Sequence, residues 1–326
     1  MSPHDRDIRR IAALGGACAI GSVLTPILPP LGLPVVGASL ARLRYRFGSK
    51  IAVAVAIVSA ALATLLLGEA SFARLADAVT VVAAVVLALV LARRLVSMSP
   101  GLAVIEAVVV MTIAVFGAQA LGAWMSGTTV VAEARAAAEA SAALTFSVFG
   151  GSSVAIADSD VASLADFLFR AWPADYLFNA VVSSILLVVA IGWVGHASGV
   201  SVRRLPALPK IDLDPRILWF PVGAVALMIA GRLVAQGEVL ETAGLNILLA
   251  TRPLFLWQGL GVVAGRASSA GVKMPARVVL YACVLILDLL FLATSVVGLL
   301  DMRFNFRRLA RADDPSGRPL ERESGM

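Results

Sequence analysis

Residues 249–261 read LATRPLFLWQGLG, an arginine and a proline set inside an otherwise apolar run. The run extends from about 242 to 265, enough for a bilayer-crossing helix, which takes about 20 apolar residues. Arg252 lies about ten residues from either end of it, roughly 15 Å at helical rise. That is farther than an arginine comfortably snorkels. A lone charge at mid-bilayer costs at least ~3 kcal/mol on insertion scales, so the stretch demands a partner for Arg252.

The rest of the chain supplies the context. Of 326 residues, 60% are hydrophobic and 15% charged, more apolar surface than a soluble domain of this size needs, which makes the chain a polytopic membrane protein. Candidate spans lie near 11–28, 51–68, 76–92, 101–124, 176–198, 217–235, 242–265 and 278–300, with a shorter apolar run at 31–41. These runs are too long and too uniformly apolar for barrel strands, which alternate over about ten residues. The expected class is all-α: about eight transmembrane helices plus a short N-terminal half-helix.

The net charge of +6 does not point to nucleic acid, because the basic residues cluster at the ends of apolar runs, the positive-inside pattern. Three lysines against 24 arginines, with abundant Ala and Val, suit a GC-rich bacterium and hence its inner membrane. Cys18 and Cys283 both lie in apolar runs and suggest neither a disulfide nor a metal site. Prolines 26, 29, 30 and 34 follow the first apolar run without a cleavage signal, so a retained helix is expected.

Arg6, Arg9 and Arg10 put the N-terminus on the cytoplasmic side; Arg42, Arg44, Arg46 and Lys50 return to it, so 11–41 forms a hairpin whose second arm is short. Arg93, Arg94, Arg203, Arg204, Lys210, Arg216, Arg266, Lys273 and Arg277 fall on the same side. Segment 125–175 is acidic and extracytoplasmic, with expected surface helices at 130–146 and 160–172; on the second, Val161, Leu164, Leu168 and Trp172 share a face behind a cap at Asp158 or Ser159. If the last span crosses, Arg303, Arg307, Arg308 and Arg311 lie on the wrong side, a conflict the pattern leaves open. The domains are then a cytoplasmic tail 1–10, a membrane domain 11–308 and a disordered polar tail 309–326.

Several chemistries are excluded by motif. The chain has no GxxxxGK[ST], no HExxH or Cys/His cluster and no GxSxG, so no catalytic residue, metal or cofactor is assigned. An intramembrane aspartyl protease would need two facing aspartates, and Asp301 is thirteen residues beyond Asp288 in one expected helix. His196 reads as interfacial, and the spacings GHASG (195–199) and GVVAG (261–265) as close helix packing. What remains is polar residues at depth. Asp288, in LILDLLF, is as central in 278–300 as Arg252 is in its own run, so the two are expected to pair. With Pro253, Asn246 and Gln258 they either line a midplane pocket, as broken helices do in transporters, or serve as polar helix glue. Glu106 joins that network or faces the interface.

The order LPALPKIDLDPRILWFP (205–221), LNILLATRPLFLWQGLGVV (245–263), GLLDMRFNFRR (298–308), after a Pro-rich N-terminal hairpin, resembles the YybS-like bacterial membrane family, a domain of unknown function (2232). The resemblance covers about 11–308 and places Asn246, Gln258, Gly259, Asp301 and Arg307 at family positions; Arg252 and Asp288 are not among them. The family looks distantly similar to the S-components of energy-coupling-factor transporters and to the rod-shape protein MreD, which implies a six-helix, S-component-like core with added helices. Fold likeness does not itself confer function. Two readings follow: a non-enzymatic subunit that binds a small molecule and works with a separate ATPase, or an MreD-like scaffold for cell-envelope or division proteins. Besides these, the lipid bilayer is the one partner the composition itself names.

Overall fold

The computed structural model describes residues 3–66, 72–149, 158–203, 206–307 and 309. Among them every regular element is helical: α1 (Pro3–Ile27), α2 (Pro29–Phe47), α3 (Ser49–Leu66), α4 (Phe72–Arg94), α5 (Pro100–Met125), α6 (Val130–Phe149), α7 (Asp158–Ala197), α8 (Trp219–Leu233), α9 (Glu238–Ser269), α10 (Met274–Phe291) and α11 (Ala293–Phe304), with 3-10 turns at Leu208–Lys210 and Pro215–Leu218. Six of the described helices (α1, α3, α5, α7, α8, α9) are long and apolar enough to cross a membrane, or seven if the bent pair α10–α11 is one span. The chain is thus a polytopic helical membrane protein. The expected polar tail from 310 onward, with Arg311, lies outside the described residues, as do Arg204 and Arg308.

Three elements depart from the sequence reading in instructive ways. The second arm of the N-terminal hairpin is longer than its apolar run at 31–41: α2 has 19 residues, about 28 Å of rise, though it is not among the helices apolar enough to cross. Pro29 and Pro30 occupy its first positions, where a missing N–H costs nothing, and Pro34 forfeits only one early ladder bond. The surface helix expected at 160–172 and the span at 176–198 are one 40-residue helix that runs through Pro173. Conversely, the single helix expected over 278–300 is two, bent by 97°.

The chain divides into two compact units, Met1–Leu205 with Met228–Ala250, and Pro206–Leu227 with Thr251–Met326. In the first, α2 is the central element, packed against α1, α3, α4 and α7. Leu33, Val36, Leu40 and Leu43 of α2 are wholly buried with Leu91 of α4 and Leu187 and Ile191 of α7. Small residues set these distances: a Cβ on Gly32 would meet Thr25 N at 2.4 Å, and one on Gly37 would meet Leu187 at 2.2 Å. The Tyr45 hydroxyl donates to Ala92 O (2.7 Å) and ties α2 to α4. The amphipathic face of α7 covers its own bundle, with Trp172 in a ring cluster with Phe116 and Tyr176.

In the second unit, α9 and α11 cross at two glycines. A Cβ on Gly298 would stand 1.9 Å from Phe255 O, and one on Gly259 2.0 Å from Thr294 O. Only glycine permits that approach, as in small-residue contacts between membrane helices generally.

Candidate functional site

The break between α10 and α11 is where the polar groups converge. Leu292 takes a left-handed conformation (φ 57°, ψ 15°) and ends α10. A break leaves terminal carbonyls and amides without helical partners, and irregular backbone at membrane depth survives only where protein or a cavity satisfies it. Asp288 meets most of that need. Its carbonyl accepts from Leu292 N (2.9 Å) and from Arg252 Nη2 (2.7 Å). Its carboxylate accepts from Ser295 N (2.7 Å) and Ser295 Oγ (3.2 Å) in the first turn of α11, and from Arg252 Nη2 at 3.0 Å. The positive end of the α11 dipole favours the carboxylate there, and the Thr294 hydroxyl reaches back to Val284 O (3.2 Å). Asp288 is 1% exposed and Arg252 21%. Arg252 therefore does meet Asp288, and the pair seals a helix break.

A second buried pair lies at the end of α11. Arg307 donates to Asp301 Oδ2 through Nε (3.1 Å) and Nη2 (2.8 Å), and through Nη1 to Pro209 O (3.1 Å). Both side chains are nearly inaccessible, 4% and 0%. Gln258 completes the group: its amide nitrogen donates to Asp301 (2.9 Å) and Asp212 (3.3 Å), and its oxygen accepts from Leu213 N (3.3 Å). Segment 209–213 is thus pinned by side chains from α9 and from the end of α11. Gly261 and Gly265 of GVVAG give Arg307 its room: a Cβ at 261 would be 2.7 Å from its Nη1.

Asn246 is engaged elsewhere, in the first unit. Its Oδ1 accepts from Ala174 N (2.9 Å) and its Nδ2 donates to Arg170 O (2.8 Å) and Thr242 O (2.8 Å). Ala174 N and Arg170 O are the two groups a regular helix joins to each other. They flank Pro173, which has no N–H and whose ring opens the ladder at this turn. Asn246 splices the opening and lets α7 continue. The four residues expected at one midplane site therefore serve three separate arrangements, each with its own partners. Glu106 joins none of them: it pairs with Arg94 across α4 and α5.

Sequence reasoning paired Arg252 with Asp288 but missed Asp301 with Arg307, although six residues across a helix end carried the signal. It also missed the Asn246–Pro173 relation, whose signal was a proline inside an apolar helical run and an asparagine with no charge to answer. No group of three or more His, Cys, Asp or Glu side chains that could hold a metal ion occurs among the described residues.

The model of a family described as predicted membrane protein (DUF2232) matches residues 17–302. No curated protein and no solved structure matches the chain.

Proposed function

The chain belongs to that predicted membrane protein family, DUF2232, and from that premise we propose that it is a non-enzymatic, multi-pass subunit of the bacterial inner membrane that binds a small molecule in association with a transporter ATPase. The supporting observation is the α10–α11 break with an ion pair inside it. Discontinuous helices, whose half-helix ends and unwound backbone meet near the bilayer midplane, are the parts from which secondary transporters build their binding sites.

The same break reconciles the charge pattern. A pair bent by 97° can enter and return without crossing, which brings Arg303 and Arg307 back to the side of Arg266, Lys273 and Arg277. Arg307 packs against Gly261 and Gly265, near the C-terminal end of α9, which supports this path. The positive-inside rule puts Arg6, Arg9 and Arg10 on the cytoplasmic side.

A second reading, an MreD-like scaffold, is favoured by one observation: the amides of Asn246 and Gln258 are committed to internal partners. Native mass spectrometry of the protein taken from its own membrane in mild detergent tests the two. A small molecule retained by wild type and lost from Arg252→Leu/Asp288→Leu is the expected result. A ligand-free chain carrying a stoichiometric protein partner would establish the scaffold instead.

A further inference from the structure

We propose that the groove between α1 and α3 is a site for an anionic phospholipid, one acyl chain in the groove and the headgroup at its basic end. The groove encloses about 330 Å³ and is lined by Ile11, Gly15, Gly16 and Ala19 of α1 and by Ala54, Val55, Val58, Ser59 and Leu62 of α3, among others. The helices run parallel, because Gly15 faces Val55 (3.6 Å from a built Cβ) and, one turn on, Cys18 meets Ser59.

The lining suits a hydrocarbon chain. It covers eight residues of rise on each helix, about 12 Å, and apart from Ser59 it carries no polar side chain. Gly16 provides much of the opening, since nothing stands within 4 Å of a Cβ built there.

The ends of the groove are chemically unlike. Arg9 is three residues before Ala12 and seven before Gly16, and Lys50 is four before Ala54, so both continue the lining faces by one turn. Both are exposed and both belong to the same end of the parallel pair. Arg6 and Arg46 lie on the neighbouring turns; of the acidic residues there, Asp5 and Asp7, the latter is paired with Arg10 (3.7 Å). An apolar slot leading to a cationic mouth is complementary to a lipid whose headgroup carries net negative charge. A zwitterionic lipid gains the slot and not the mouth.

The test is lipid retention by the full-length protein in mild detergent, read by native mass spectrometry after exchange into phosphatidylglycerol/phosphatidylethanolamine mixtures. Wild type should keep one phosphatidylglycerol per chain in preference to phosphatidylethanolamine. Arg9→Gln/Lys50→Gln should weaken that retention by about fivefold per residue, roughly 25-fold together. Gly16→Leu should abolish it by filling the slot, with the fold verified by an unchanged unfolding temperature; the charge variant lies outside the packed lining and tests the proposal independently. Equal retention of the two lipids, retention indifferent to both variants, or a chain dimer that Gly16→Leu disrupts would each overturn it.

Discussion

The side-chain amide of Asn246 spans the turn that Pro173 opens in α7, accepting from Ala174 N and donating to Arg170 O. One polar side chain thus gives a hydrogen-bond partner to a backbone group on each side of the proline. The relation predicts an epistatic pair. Asn246→Ala should destabilise the protein by about 1–2 kcal/mol, the range for buried polar contacts in membrane helices. In a Pro173→Ala background, where the ladder can close, the same substitution should cost less than about 0.5 kcal/mol. Unfolding in mixed micelles measures the cycle; equal costs in both backgrounds would break the link between the two residues.

Arg252 and Asp288 should behave as a buried pair with an added backbone duty. Either single leucine substitution leaves an uncompensated charge and should cost about 3–5 kcal/mol. The double variant should regain most of the charge penalty, yet remain below wild type, because the Ser295 N–H and hydroxyl lose the carboxylate that accepts from them. Asp288→Asn, which keeps an acceptor for Ser295 N, should be milder than Asp288→Leu.

Gln258 and Arg307 hold the segment 209–213 from two directions. Gln258→Leu should therefore speed hydrogen exchange at the Leu213 amide severalfold, since its acceptor is gone. Arg307→Ala should do more, leaving Asp301 buried without its charge partner, and should lower stability by about 3 kcal/mol or more. An unchanged Leu213 amide in Gln258→Leu would show that the loop holds itself.

The crossing of α9 and α11 has no space for a methyl group. Gly298→Ala should destabilise by about 1–3 kcal/mol, the cost of overpacking a contact against backbone that cannot yield. Gly101→Ala, on α5 where no atom lies within 4 Å of the new carbon, is the control and should be neutral or slightly stabilising.

A returning α10–α11 pair places residues 268 and 305 on one side of the membrane. In a cysteine-free background, Ser268→Cys and Asn305→Cys should both react with an impermeant maleimide only in inside-out vesicles. Labelling from opposite sides would make the pair a full span.

The class of the molecule was legible from residue types alone, because apolar run length and basic flanks report directly on transfer into a bilayer. Helix ends were less so. Pro173 and Pro253 both invite a break, yet α7 and α9 run through them. At Pro173 the reason is visible: Asn246, 73 positions along the chain, gives partners to the Ala174 N–H and the Arg170 carbonyl on either side of it. Nothing local to LILDLLF announces that α10 stops at Phe291 and turns, since Leu292 is no glycine; its N–H bonds the Asp288 carbonyl, which Arg252 also engages.

What the sequence determined by itself was therefore the solvent, the helical class, and the need for Arg252 to find Asp288, all consequences of the cost of leaving charge or backbone unpaired in hydrocarbon. Tertiary structure decided how each polar residue is used. A hydrogen bond needs its partner within about 3 Å, and that proximity comes from helix packing. Asn246 and Gln258, twelve residues apart on one helix, thus answer to the turn at Pro173 in α7 and to a carboxylate in α11.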